Sequence, residues 1–203
     1  MRILLHRGDL PADVALGPVL AIDSETMGLD PFRDRLCLVQ LTDGEGTVHL
    51  VRIEPGQKVA PRLALALADP DRLKILHFAR FDLAMLRHRL GIDCRPVWCT
   101  KIASKLARTY TDRHGLKDLC RELLGVELSK QEQSSDWGAE ELNEAQLRYA
   151  ASDVVHLHAL KEKLEAMLER EGRLALAEAC MAFLPTRVAL DLEGFAALDP
   201  FAH

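Results

Sequence analysis

The hydrophobic pattern divides the chain into an early part with strand character and a later part with helical periodicity. Pro18–Glu25 (P-V-L-A-I-D-S-E) is a largely apolar run that ends in acids, and it reads as a buried strand. Leu36–Thr42 (L-C-L-V-Q-L-T) and Thr47–Ile53 (T-V-H-L-V-R-I) read as two more strands. Asp43-Gly44-Glu45-Gly46 lies between them and suits a hairpin turn. The three strands together predict an antiparallel meander. Pro61–Ala68 reads as a helix, Leu73–His77 as a short buried strand and Val97–Thr100 as a fifth and last strand. Between those two strands, Phe81, Leu83, Leu86 and Leu90 follow the 3.6-residue period, with Gly91 as a stop. Lys101–Arg108 and Leu116–Leu124 read as helices, the second closed by Gly125. Asn143, with Gln146 three residues on, predicts the cap of one long helix through Leu147, Val154, Leu160 and Met167 to Gly172. A last helix is expected over about 174–184, before Pro185. Strands first and helices later, with one strand–helix alternation between, predict a mixed sheet with helices packed on it.

Length changes this picture little. At 203 residues without a Ser/Gly/Pro-rich linker, one domain over 1–203 is expected, with a helix and tail over 174–203. A chain of this size buries a core without disulfide or metal staples. A 48% hydrophobic and 28% charged composition is that of a globular protein, neither disordered nor fibrous. Apolar runs such as Leu63–Ala68 are far too short to span a bilayer. Met1–Leu10 carries Arg2, His6, Arg7 and Asp9 and does not read as a secretory signal. The five cysteines form no C-x-x-C pair, so buried thiols in a reducing cytoplasm are expected, with no zinc site. No membrane partner is expected, and oligomeric state is not legible.

Charge matters more. The chain has 31 carboxylates against 26 Lys and Arg, which argues against coating nucleic acid by bulk positive charge. The distribution is uneven. Residues 72–108 hold nine bases and two acids, whereas 132–178 hold eleven acids and five bases. Either run also fits a solvated face; the basic one also fits phosphate contact.

Three groups of acids stand out. Asp23 and Glu25 lie at i and i+2 at the end of a core strand, so they share one face and repel unless a cation sits between them. Taken alone, the pair also fits a strand running out into solvent. Asp82 falls in the first turn of a helix, where an acid also complements the helix dipole. Tyr149 and Asp153 are four apart on one helical face, among Ala150, Ala151, Val154 and Val155. A lone carboxylate there is costly, although a Tyr–Asp hydrogen bond would also tie the helix down. Hard divalent cations take oxygen ligands of this kind.

The order D-x-E, F-D-L-x-x-L, Y-A-x-x-D resembles the tyrosine subclass of the DEDD exonuclease superfamily. Ile22–Thr26 with Leu36–Leu41 is similar to the first motif of ribonuclease D, and His77–Leu83 to the second. Ser135-Asp136-Trp137, Leu142, Gln146 and Tyr149–Asp153 are similar to the third. The match covers about residues 18–168. The resemblance implies an α/β ribonuclease H-like exonuclease fold: a mixed five-stranded sheet flanked by α-helices. It implies Asp23, Glu25, Asp82 and Asp153 as catalytic metal ligands for two divalent cations, Mg²⁺ or Mn²⁺, and Tyr149 as the catalytic tyrosine. Arg148 stands where the sister subclass has its histidine, which favours the tyrosine subclass.

The implied reaction is stepwise 3′→5′ hydrolysis of RNA ends to nucleoside 5′-monophosphates, in tRNA or structured-RNA processing. Tyr149, with an ordinary pKa near 10, orients the water rather than acting as base. Full ribonuclease D carries further helical domains, and this chain is expected to lack them. The alternatives are a DNA 3′→5′ exonuclease of the helicase-associated type, which shares these motifs, and a catalytically silent nucleic-acid-binding module. Arg80, Lys101, Lys105 and Arg108 are candidate phosphate contacts, and Lys130 and Gln133 sit in a loop expected near the site. Trp137 and His77 read as structural, His77 as a satisfied core histidine.

Overall fold

The computed structural model describes residues 1–129, 131–132 and 134–202. Candidate residues Lys130 and Gln133 lie outside the described residues. Six strands form one mixed sheet: β1 (Arg2–Arg7), β2 (Val19–Thr26), β3 (Leu36–Thr42), β4 (Thr47–Arg52), β5 (Leu73–Leu76) and β6 (Val97–Cys99), in the order β1-β4-β3-β2-β5-β6. β2, β3 and β4 form the expected antiparallel meander. β5 joins β2 in parallel and β6 joins β5 in parallel.

The expected five strands are therefore six. The added one, β1, pairs in parallel with β4, with Arg2 opposite Thr47 and Arg7 opposite Arg52. It is an edge strand with no fully buried residue, so no strong apolar pattern marks it. Its partner lies some 45 positions away, and no local turn signals the pairing. Asp9, just after β1, accepts hydrogen bonds from Arg62 N and Leu63 N, and so caps helix α1 (Pro61–Ala68) from a distant segment.

The remaining α-helices are α2 (Ala79–Leu90), α3 (Thr100–Ala107), α4 (Leu116–Leu119), α5 (Glu144–Val155), α6 (Leu157–Arg170) and α7 (Leu174–Leu190), with π-helical turns following α4 at Cys120–Leu124 and α7 at Asp191–Phe195. α2 ends at Gly91 with φ +66°, the left-handed conformation that glycine adopts without a Cβ penalty. The long helix expected from Asn143 onward is two helices, divided at His156. α5 packs on β2, β3 and β4, whereas α6 packs on α3 and β5. The break lets one apolar periodicity serve two different surfaces. The last helix runs past Pro185 to Leu190. Ala177, Met181, Leu184 and Val188 are buried at helical spacing on both sides of the proline, and this burial offsets the lost hydrogen bond.

All five cysteines are free thiols, and four of them are buried. No helix among the described residues is long and apolar enough to cross a membrane.

Candidate active site

β2 and β5 are parallel neighbours, and the acids gather where both strands end. Alternation along β2 sends Asp23 and Glu25 to one face. Gln40 on β3 lies directly opposite Asp23, and its buried amide is 3.5 Å from Asp23 Oδ2 and 3.5 Å from Glu25 Oε1. The register shifts between Glu25 and Thr26, a bulge of the kind that re-aims side chains beside functional sites. Asp153 comes from α5. Carboxylate oxygens of Asp23, Glu25 and Asp153 all lie within 4.8 Å of one another. Asp82, on the first turn of α2, is 2% exposed and accepts a 2.6 Å hydrogen bond from Ser24 Oγ. Ser24 sits between the paired acids on β2, so one strand presents two carboxylates and anchors a third.

Electrostatics explains why such a cluster is costly without a cation. Burial pushes the Asp23 carboxyl well above the ordinary range, and Asp82, Asp153 and Glu25 push it further. Burial with Asp153 and Asp82 raises Glu25 to about 9. Burial raises Asp82 to about 7, against the opposing pull of the Ser24 hydrogen bond. Burial raises Asp153 to about 7, and its contact with Tyr149 lowers it. Tyr149 itself is raised by burial and then by Asp153, Glu25 and Asp23, so its phenol stays protonated at any physiological pH. Hard oxygen donors that repel one another at this spacing fit a divalent cation.

The third segment is held by a capping box. Asn143 Oδ1 accepts from Gln146 N, and Gln146 Oε1 accepts from Asn143 N, both at 2.9 Å. The Gln146 amide also donates to Ser135 Oγ at 2.8 Å and to the Asp136 carbonyl at 3.1 Å. One side chain thus starts α5 and ties down the loop that carries Trp137. Trp137 is 3% exposed and packs on Tyr149 with ring centroids 6.0 Å apart, the structural role expected for it.

A cleft of about 770 Å³ opens over the acids. Asp23, Glu25, Asp82, Tyr149 and Asp153 all line it, so the five principal candidates converge. Lys101 lines it too, with Nζ 4.3 Å from the Phe78 ring centroid. Phe78 has φ +65°, a strained position for a non-glycine residue, where β5 turns directly into α2. Leu29, 81% exposed, stands on the rim. Nothing in the apolar pattern marked Leu29, because an exposed leucine on a loop has no periodic partner. Gln40 was legible only as part of the L-C-L-V-Q-L string.

Three basic candidates lie elsewhere. Arg80 pairs with Asp191 at 2.6 Å and does not line the cleft. Lys105 is exposed in a neighbouring groove between α3 and α7. Arg108 is corrected outright. Its side chain is fully buried, bonded to Glu122, to the Arg113 carbonyl at 2.7 Å and to Ser104 Oγ at 3.3 Å, so it cannot meet a phosphate. The charge count did not reveal that an arginine at the end of α3 turns inward to bind the following loop. Arg108→Ala is expected to cost about 3 kcal/mol by stranding its partners, read as a lower melting temperature with KM for nucleic acid unmoved.

The 3′–5′ exonuclease family model matches residues 9–169. Ribonuclease D of Gluconacetobacter diazotrophicus is 37% identical over 157 residues, 77% of this chain and 39% of that protein. DNA polymerase I of Aquifex aeolicus is 38% identical over 151 residues, 74% of this chain and 24% of the polymerase. The chain thus spans about two fifths of the length of the ribonuclease D relatives it matches. Brucella melitensis NrnC, solved with bound Mg²⁺, is 58% identical over the whole of both chains, with a TM-score of 0.95. The same protein bound to pGG is 59% identical, covers 100% of this chain and 99% of that one, and gives a TM-score of 0.96. The chain belongs to the 3′–5′ exonuclease family, with the ribonuclease D-type fold.

Proposed function

We propose that the protein is a two-metal 3′→5′ exoribonuclease that removes nucleoside 5′-monophosphates one at a time from the 3′ ends of short RNA, in the cytoplasm. The observation that carries this reading is the convergence of Asp23, Glu25 and Asp153 within 4.8 Å, with Asp82 beside them, on a nuclease fold. Asp23, Glu25 and Asp153 would hold one divalent cation, and Asp82 would join Asp23 in holding a second. When bound, the cations supply an activated water and neutralise charge on the departing 3′ oxygen.

The chain's own residues do the rest. Tyr149 keeps its proton and orients the attacking water, because burial and three carboxylates hold its pKa far above neutrality. Gln40 donates toward Asp23 and Glu25 and fixes their rotamers. Ser24 fixes Asp82. Lys101 gives the cleft a cation for the substrate phosphate, while Leu29, Phe78 and Phe81 offer apolar faces to bases. Tyr149→Phe is expected to lower kcat about 10²-fold with little change in Mn²⁺ affinity, measured by steady-state kinetics and calorimetry. An equal loss of metal affinity would assign Tyr149 a ligand-positioning role instead.

Short RNA is favoured over trimming of tRNA or other structured RNA by the relative bound to pGG, which aligns with this chain end to end. The ribonuclease D relatives extend well beyond the part matched here. Digestion of paired RNA and DNA oligonucleotides of two to twenty nucleotides tests the reading. Faster hydrolysis of the shortest RNAs is expected. Equal rates on DNA would favour the DNA exonuclease, and binding without cleavage after Mn²⁺ addition would favour a silent module.

A further inference from the structure

His77 was expected to be a satisfied core histidine, and it is satisfied on only one side. It lies between β5 and α2 and lines the same cleft as the acids. Its Nδ1 is 2.9 Å from Thr100 Oγ1. The Thr100 hydroxyl in turn donates its only proton to the Leu76 carbonyl at 3.2 Å. A hydroxyl that spends its proton in this way can only accept from the imidazole. In that arrangement Nδ1 carries the ring proton and Nε2 offers a lone pair. Nε2 has no hydrogen-bond partner among the described residues, and it is not among the buried polar atoms left without one. It is open to the cleft.

The ring is also held neutral. Burial and the Lys101 ammonium push the His77 pKa down to about 3, so Nε2 stays an acceptor throughout the physiological range. Thr100 is itself fully buried, so the Leu76–Thr100–His77 relay cannot easily rotate away. The chain thus spends two residues on fixing one tautomer of a histidine whose other nitrogen faces the site.

A fixed, neutral acceptor in a nuclease cleft selects for a donor on the substrate. The phosphodiester offers none. Base edges offer donors that differ between bases, and the terminal 3′-hydroxyl is common to RNA and DNA, whereas every ribonucleotide carries a 2′-hydroxyl, the group that distinguishes RNA from DNA. His77 lies between β5 and α2, the helix that carries Asp82, and both residues line the cleft, which brings a ribose flanking the scissile phosphate into the space that His77 faces. We propose that His77 Nε2 accepts a hydrogen bond from the 2′-hydroxyl of a nucleotide flanking the scissile phosphate, making His77 the residue by which this nuclease selects ribose. The proposal rests on the exoribonuclease reading and deepens it.

The test compares kcat/KM on an all-RNA trinucleotide with two versions carrying one 2′-deoxy nucleotide, at the terminal or the penultimate position, and with the all-DNA trinucleotide. The wild-type chain, His77→Phe and Thr100→Val are measured in parallel. The wild type is expected to lose about 10-fold to 100-fold at one of the two deoxy positions, the range set by losing one hydrogen bond to an acceptor that bound substrate covers. In His77→Phe the all-RNA rate is expected to fall at least ten times more than the DNA rate, so that the preference collapses. Thr100→Val keeps the imidazole but frees its tautomer, and its preference is expected to fall part way. ¹⁵N spectra of the imidazole report the tautomer independently of activity. A wild-type preference for ribose that survives both substitutions would overturn the role of His77 and leave the exoribonuclease reading standing. Equal wild-type rates on all four substrates would overturn both. Nε2–H as the protonated nitrogen in the wild-type spectrum would overturn the His77 proposal alone.

Discussion

Asp23→Asn is expected to abolish metal-dependent removal of 3′-terminal nucleotides, with a loss of at least about 10³-fold in kcat/KM. Asp23 stands at the centre of the cluster: Glu25, Asp82 and Asp153 all raise its pKa, which places it within electrostatic reach of each. It is the one acid that both proposed cations would share. Converting its carboxylate to an amide removes a formal charge from both sites at nearly constant volume. Metal ions supply several kcal/mol of transition-state stabilisation, and each 1.36 kcal/mol is tenfold in rate, so about 4 kcal/mol corresponds to about 10³-fold. The same substitution is expected to stabilise the metal-free fold at pH 8, because it removes one of four mutually repelling buried acids. Loss of activity with a gain in stability separates a functional role from simple misfolding. A variant that loses both would point to a structural role for Asp23.

The second large effect is a dependence of stability on pH that metal reverses. Glu25 is raised to about 9 and Asp82 and Asp153 to about 7, and Asp23 is raised as well. In the unfolded chain all four would titrate near 4. Between those limits the folded, metal-free protein binds more protons than the unfolded one. Stability therefore falls as pH rises, from about pH 4 to about pH 9. This runs opposite to the usual salt-bridged carboxylate, whose contribution grows with pH. Mg²⁺ or Mn²⁺ added at pH 8 supplies the missing charge. At a hundred times Kd, one site contributes about 2.7 kcal/mol, or about 5–10 °C in melting temperature for a chain of this size. Melting curves from pH 5 to 9, with and without Mn²⁺, measure both. A flat metal-free profile with no Mn²⁺ shift at pH 8 would contradict the assignment of these acids to a cation site.

Much of the fold could be read locally. The apolar runs of β2, β3 and β4, the glycines at 91 and 125 and the Asn143–Gln146 box are each marked by neighbours within a few residues. What could not be read depends on distant partners. β1 has few buried positions, and its partner β4 lies some 45 residues on. The division at His156 follows from α5 and α6 packing on different surfaces, which one continuous periodicity conceals. Pro185 is carried within α7 because Leu184 and Val188 bury against the body. The acids were legible because three separate segments carried costly charges that only convergence would explain. Ser24, Gln40 and the open nitrogen of His77 were not, since an ordinary serine, glutamine or histidine gains meaning only from what it faces. Arg108 shows the converse: a basic residue in a basic stretch that the fold takes out of reach.

The most direct test of the central claim is the product ladder from a 5′-labelled RNA hexanucleotide, with all metal first removed by chelation and Mn²⁺ then restored. The four-acid site predicts no cleavage in the chelated protein. On restoring Mn²⁺, the label should move down the ladder one nucleotide at a time while nucleoside 5′-monophosphates accumulate, and Asp153→Asn should show neither change. Cleavage that persists in chelator, or products that are internal fragments or carry 3′-phosphates, would contradict it.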